Sequence, residues 1–179
     1  MLRTTLANAY IKRTIRPAYA FSQATPKSQF LDPAWTQPYP VGIFPGMVMM
    51  KTVGENIMPI GGMSGSNAGS PYGFASFFEG GDNIYEISEQ GVNACACWVL
   101  GPDAEFEILA PAFDTSSSWV EPTDGSIALV YAFVSGAKQG LLCPSGATGG
   151  TVSTAPVARL ISVDSATQIT IGGLQAHAA

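Results

Sequence analysis

The hydrophobic positions of this chain fall into short runs separated by glycine, proline, serine and asparagine, and from Met47 onward those runs have the length and period of strands. MVMMKTV (47–53) and residues 56–60 are the first two candidates, followed by the loop GGMSGSNAGSP (61–71). Residues 72–79 predict a third strand, closed by GGDN (80–83). Residues 94–100 form a continuous apolar run ahead of Gly101 and Pro102, the pattern of a strand covered on both faces. EFEI (105–108) alternates polar with apolar, as a half-buried strand does. A long apolar run at 126–135 and a shorter one at 139–143 precede a Gly/Ser/Thr loop (145–154). The last two runs, 157–163 and 167–171, are joined by DSA (164–166), a connection of hairpin length. Short strands, frequent turns, no internal repeat and no helical period predict a mainly β body, a compact sandwich or barrel.

The first forty residues read differently. TTLANAYIKRTIR (4–16) has the spacing of a short helix with Leu6, Tyr10 and Ile11 on one side, stopped by Pro17. Such a helix is marginal in water by itself. Prolines at 17, 26, 33, 38, 40 and 45 then favour extended segments over regular structure. Trp35, Tyr39 and Phe44 punctuate that stretch, either as anchors on a neighbouring molecule or folded back on their own domain. The expected organisation is a basic, proline-rich arm over 1–40 and a β-rich domain over 41–179.

Charge sharpens that division. Arg3, Lys12, Arg13, Arg16 and Lys27 face one acid, Asp32, before residue 41, giving +5 − 1 = +4. Beyond it, Lys51, Lys138 and Arg159 stand against twelve carboxylates, 3 − 12 = −9. The body repels phosphate, which argues against nucleic acid as its partner. An acidic protein surface would attract the arm, and Arg3, Lys12, Arg13 and Arg16 are its candidate contacts. Charged residues make up 12% of the chain, against about 25% in ordinary soluble domains. With 20 Gly and 13 Pro, that leaves a surface of small neutral groups, suited to cover in an assembly. An extracellular sandwich with a bland surface has the same composition.

Candidate chemistry is thin. Three cysteines make no complete disulfide framework; Cys95 and Cys97 share a strand face and read as buried thiols, as does Cys143. The one histidine, His177, lies in a small-residue tail, so neither a zinc site nor a serine–histidine pair is expected. GGMSGS (61–66) has neither the lysine of a phosphate-binding loop nor the final glycine of a nucleophile elbow. Asp103, Glu105 and Glu107 have the spacing of one strand face and read as solvated carboxylates rather than a glycosidase pair. No apolar stretch approaches the roughly 18 residues that span a bilayer. No catalytic, cofactor or metal residue is assigned, and neither a cofactor nor a membrane partner is expected.

GVNACACWVLGPDAEFEILAPAFD (91–114), the Pro45-Gly46 strand entry, GFASFF (73–78) and the closing ARLISVDSATQITIGGL (158–174) occur in an order that resembles the head decoration, or cement, proteins of tailed bacteriophages. The resemblance spans about residues 41–175. It implies a compact, β-tulip-like domain, often a homotrimer, that sits outside the mature virion capsid and fastens neighbouring major capsid subunits. It carries no site residues over, and the long basic arm departs from the shorter members. Two rivals come from the residues themselves. The acid-free N-terminus has the composition of a mitochondrial presequence ending near residue 22. Trp35, Trp98 or Trp119, if exposed, would suit a carbohydrate-binding sandwich.

Overall fold

The computed structural model describes residues 15–18, 25–32, 43, 45–52, 56–62, 71–76, 94–99, 101, 103–123 and 126–174. Eleven strands form among them: β1 (Ile15–Pro17), β2 (Thr25–Phe30), β3 (Val48–Lys51), β4 (Ile57–Pro59), β5 (Pro71–Ala75), β6 (Ala94–Val99), β7 (Glu105–Leu109), β8 (Ala128–Ala132), β9 (Leu142–Pro144), β10 (Ala158–Ser165) and β11 (Gln168–Gly172). They build two antiparallel sheets, one ordered β1-β7-β11-β10-β8-β9 and the other β2-β6-β5-β3-β4. The architecture is a mainly β sandwich; of the two forms expected, the closed barrel is not adopted.

The sheets meet because each strand with period two turns one apolar row inward. On β7 that row is Phe106 and Ile108, both fully buried, while Glu105 and Glu107 alternate outward. Phe106 is the joint between the sheets: its ring lies edge-on to Phe74 of β5 at 6.1 Å and tilted against Trp98 of β6 at 5.8 Å. Met47, Met49, Met58 and Ile60 fill the layer on the other side, and unbranched methionine suits such irregular gaps. Gly61, at φ +74°, turns the chain after β4; a side chain there would strike the Val134 carbonyl at 1.9 Å. That close approach locks the end of the five-stranded sheet to the loop after β8, where Gln139 donates to the Ile60 carbonyl at 3.1 Å.

Every strand expected in the body is present, and the hairpin at 164–166 joins β10 to β11. The difference lies nearer the N-terminus. Ile15 and Arg16, expected to end a helix, are strand: Ile15 pairs with Ile108 and is buried. A short helix has little stability of its own, whereas β1 gains ladder bonds, continued by Ala18 donating to Glu105 at 2.9 Å, and a place in the core. Residues 25–30 pair along β6 from Val99 to Ala94. Within the stretch expected as an arm, then, β1 and β2 are outer strands of the two sheets, and Leu31 beside β2 is buried. Prolines stand in all four outer strands, at Pro17, Pro26, Pro59 and Pro144. Proline lacks the N–H that a further strand would need, so the sheet edges are blunted.

Candidate functional site

The outward face of the six-stranded sheet divides into a charged half and an apolar half. In the charged half, register places Arg16 opposite Glu107, and the guanidinium donates to the Glu107 carboxylate. Arg159 of β10 comes to 4.0 Å from Glu105 and donates Nε to the Gly173 carbonyl at 3.2 Å. Asp164 accepts from Ser162 and Thr170, both at 2.8 Å. Of the three carboxylates expected in solvent, only Asp103 lies exposed in a turn; Glu105 and Glu107 are ion-paired. This half answers its own charges and offers no acid–base pair poised over a cleft.

The apolar half lies over β8. Leu129 and Tyr131 point outward from it, and the segment before β8 folds alongside. A turn in which Ser126 donates to the Thr123 carbonyl through both its backbone N–H (2.8 Å) and its hydroxyl (2.7 Å) brings the chain back. Val120 and Ile127 thus flank one turn, 71% and 54% exposed, with Leu129 at 38%. Together with Trp119, Tyr131 and Leu160 they line an open groove of about 420 Å³. Large apolar side chains this exposed and contiguous mark an interaction surface rather than ordinary scatter.

One wall of the groove is held from behind by a buried charge. Asp114, 4% exposed, accepts from Lys138 Nζ at 2.9 Å on each oxygen, from the Ser116 hydroxyl at 2.8 Å and from the Ser117 hydroxyl at 2.6 Å. Lys138 also donates to the Thr148 carbonyl at 3.4 Å and lies 5.4 Å from the centre of the Phe133 ring. Burial alone would push the Asp114 carboxyl up, but the donors Ser117, Lys138 and Ser116 outweigh it and hold the group at about 2. Its main-chain carbonyl takes the Trp119 indole N–H at 2.8 Å, and the Trp119 ring stands edge-on to Phe113 at 5.6 Å. The node therefore fixes Trp119 in the groove wall. Below it, burial first and the Asp114 charge second push the Cys143 thiol up to about 12, against the opposing pull of Lys138. That thiol is a neutral core group, as the sequence implied for Cys97 and Cys143, both buried.

Among the predicted contact residues, Arg16 is placed on β1, spent on Glu107 yet with its side chain half exposed. Arg3, Lys12, Arg13, Trp35, Tyr39 and Phe44 lie outside the described residues, as do His177 and the proposed presequence boundary. Trp98 packs against Phe106 between the sheets, and Trp119, its indole N–H donated to the Asp114 carbonyl, stands in the groove wall. Among the described residues no group of three His, Cys, Asp or Glu side chains is arranged to hold a metal. No helix of the described residues is long and apolar enough to cross a membrane. The sequence reading missed the groove and the Asp114 node; lone apolar residues on either side of EPTDGS (121–126) were the available signal.

Among the described residues, blunted sheet edges, self-paired charges and an exposed apolar groove are features of a sandwich suited to surface contact. The family comparison supplies the class: the model of the phage cement proteins matches residues 1–178, and the chain belongs to that family. No curated protein and no solved structure matched. A cement protein is part of the virion capsid, binds capsid proteins and stabilises the shell.

Proposed function

We propose that this protein stabilises a phage head from outside by fastening neighbouring major capsid subunits, acting as a homotrimer. The observation that carries the reading is the exposed apolar groove beside β8, in a protein whose family is defined by attachment to capsids. Burying apolar surface contributes about 25 cal/mol per Å² and needs no chemistry, which suits a fastening role. The net charge of −9 beyond residue 40 supports the outer face, since packaged DNA would repel it. The family match runs through the basic N-terminal stretch, in keeping with an arm that works as part of the cement protein.

The contacts proposed for the arm are Arg3, Lys12 and Arg13, with Trp35, Tyr39 and Phe44 as anchors; Arg16 contributes least because Glu107 already neutralises it. Residues 15–17 and 25–30 pair in the sheets, so the truncation that tests the arm without removing a strand is of residues 1–14. The test is re-decoration of stripped heads. Full-length protein should raise the temperature at which heads release DNA, and removal of residues 1–14 should lower occupancy at equal protein concentration while the body stays folded. Heads that bind the protein without any gain in thermal resistance would refute the fastening role.

A further inference from the structure

We infer that the groove over β8 is the seat for residues 1–14 of a second copy of this chain, so that decoration subunits are laced together by exchanged arms. This rests on the fastening role proposed above and names the partner of the groove. Charge favours this occupant. Residues 1–14 contain Arg3, Lys12 and Arg13 and no acid, interleaved with Leu2, Leu6, Tyr10 and Ile11. Lys138 is committed to Asp114, and Arg159, across from Leu129, is held by Glu105 and the Gly173 carbonyl, whereas Glu121 is exposed beside Val120. Among the described residues, an apolar groove with a carboxylate beside it and its nearby cations already paired matches an apolar, basic segment on both counts.

Position favours it too. Ile15 pairs with Ile108 while Pro17 pairs with Phe106, so the chain enters β1 from beside Leu109. Leu109 pairs with Gln168, where the β10–β11 hairpin closes. The groove opens toward that same end of the sheet, because Ile127 precedes Ala128, whose partner Leu160 begins the stretch of β10 running to the hairpin. Four strand spacings separate β1 from β8, about 19 Å. Fourteen extended residues reach about 46–50 Å, enough to pass beyond the chain's own sheet to another copy. A segment closing on its own groove would fasten nothing, and the blunted edges leave little scope for joining copies by strand addition. A face groove filled by another chain's arm remains the route the surface provides.

Two single variants test this, Leu6→Cys and Ile127→Cys, the latter at an exposed position that leaves the core intact. Mixed and oxidised, in concentrated solution and on re-decorated heads, they should give a covalent two-chain product that neither variant gives alone. Replacing Arg3, Lys12 and Arg13 with Gln should cut its yield several-fold at low salt and less at high salt. Absence of the mixed product in both settings would overturn the inference, whether or not the heads are decorated. So would the double variant Leu6→Cys/Ile127→Cys closing within one chain in dilute solution while the mixture stays uncoupled. Failure of wild-type protein to protect heads, with the mixed product still formed in solution, would instead strike the fastening role and leave the groove assignment standing.

Discussion

The two halves of one sheet face have been finished in opposite ways. Over β1, β7, β11 and β10 the outward side chains answer one another: Arg16 with Glu107, Arg159 with Glu105, Thr170 with Asp164. Over β8 they do not, and Val120, Ile127 and Leu129 face solvent with no partner of like kind. Exposed ion pairs contribute little to stability, with a typical worth of about 0–1 kcal/mol, but they close a surface to chance association. Exposed apolar side chains weigh on solubility unless something covers them. Side by side, the halves show that polarity by itself does not locate a binding surface. What distinguishes the groove is that its demands are unmet among the described residues.

The largest effect is expected beneath the charged half. Phe106→Ala removes the ring on which Phe74 and Trp98 converge under the charged half, and denaturant unfolding should show a loss of about 3–5 kcal/mol. A loss under about 1 kcal/mol would mean that the sheets are not joined there. Next comes the support of the apolar half. Asp114→Asn should cost about 2–4 kcal/mol, because Lys138 and two serine hydroxyls lose a buried ionised acceptor. The same group sets a pH dependence. Its folded value of about 2 lies below its ordinary 3.8, so its stabilisation, of order 2 kcal/mol, is complete above the ordinary value. It is lost as pH falls from about 4 through 2, and the Asn variant should show a flatter acid limb over that window.

Smaller effects separate the halves directly. Ile127→Asp should leave the unfolding midpoint almost unchanged but weaken attachment to stripped heads about tenfold, roughly 1.4 kcal/mol, since it places a charge where apolar contact is needed. Attachment unaffected by that change would make the groove incidental. Smallest of all, Arg16→Ala should shift stability by less than about 1 kcal/mol and head attachment hardly at all, because its pair with Glu107 is half exposed and internal to the chain.

What was legible in the sequence follows the range of the interactions. The body strands carry their own period, so β3 through β11 could be read locally, including the alternation at EFEI that places Phe106 inward. β1 and β2 carry almost no apolar period; IRP and TPKSQF become strands only because β7 and β6 are there to pair with them, far along the chain. Their prolines argued for extended backbone, which is right, and concealed that an outer strand tolerates them. The Asp114 node was invisible for a related reason: Lys138 lies 24 residues away, and nothing in either neighbourhood announces the pairing. The groove needed the fold to bring Val120, Ile127 and Leu160 together.

Two proposals meet at this surface: the protein fastens neighbouring capsid subunits, and its apolar groove is covered in the decorated shell. A cryo-electron-microscopy reconstruction of re-decorated heads tests both most directly, at a resolution that traces β8 and the Val120–Ile127 turn. Density is expected on the outer surface spanning the boundary between neighbouring capsid subunits, with the groove filled and the charged half of the sheet facing solvent. Density confined to one capsid subunit, with the groove empty and open to water, would contradict both.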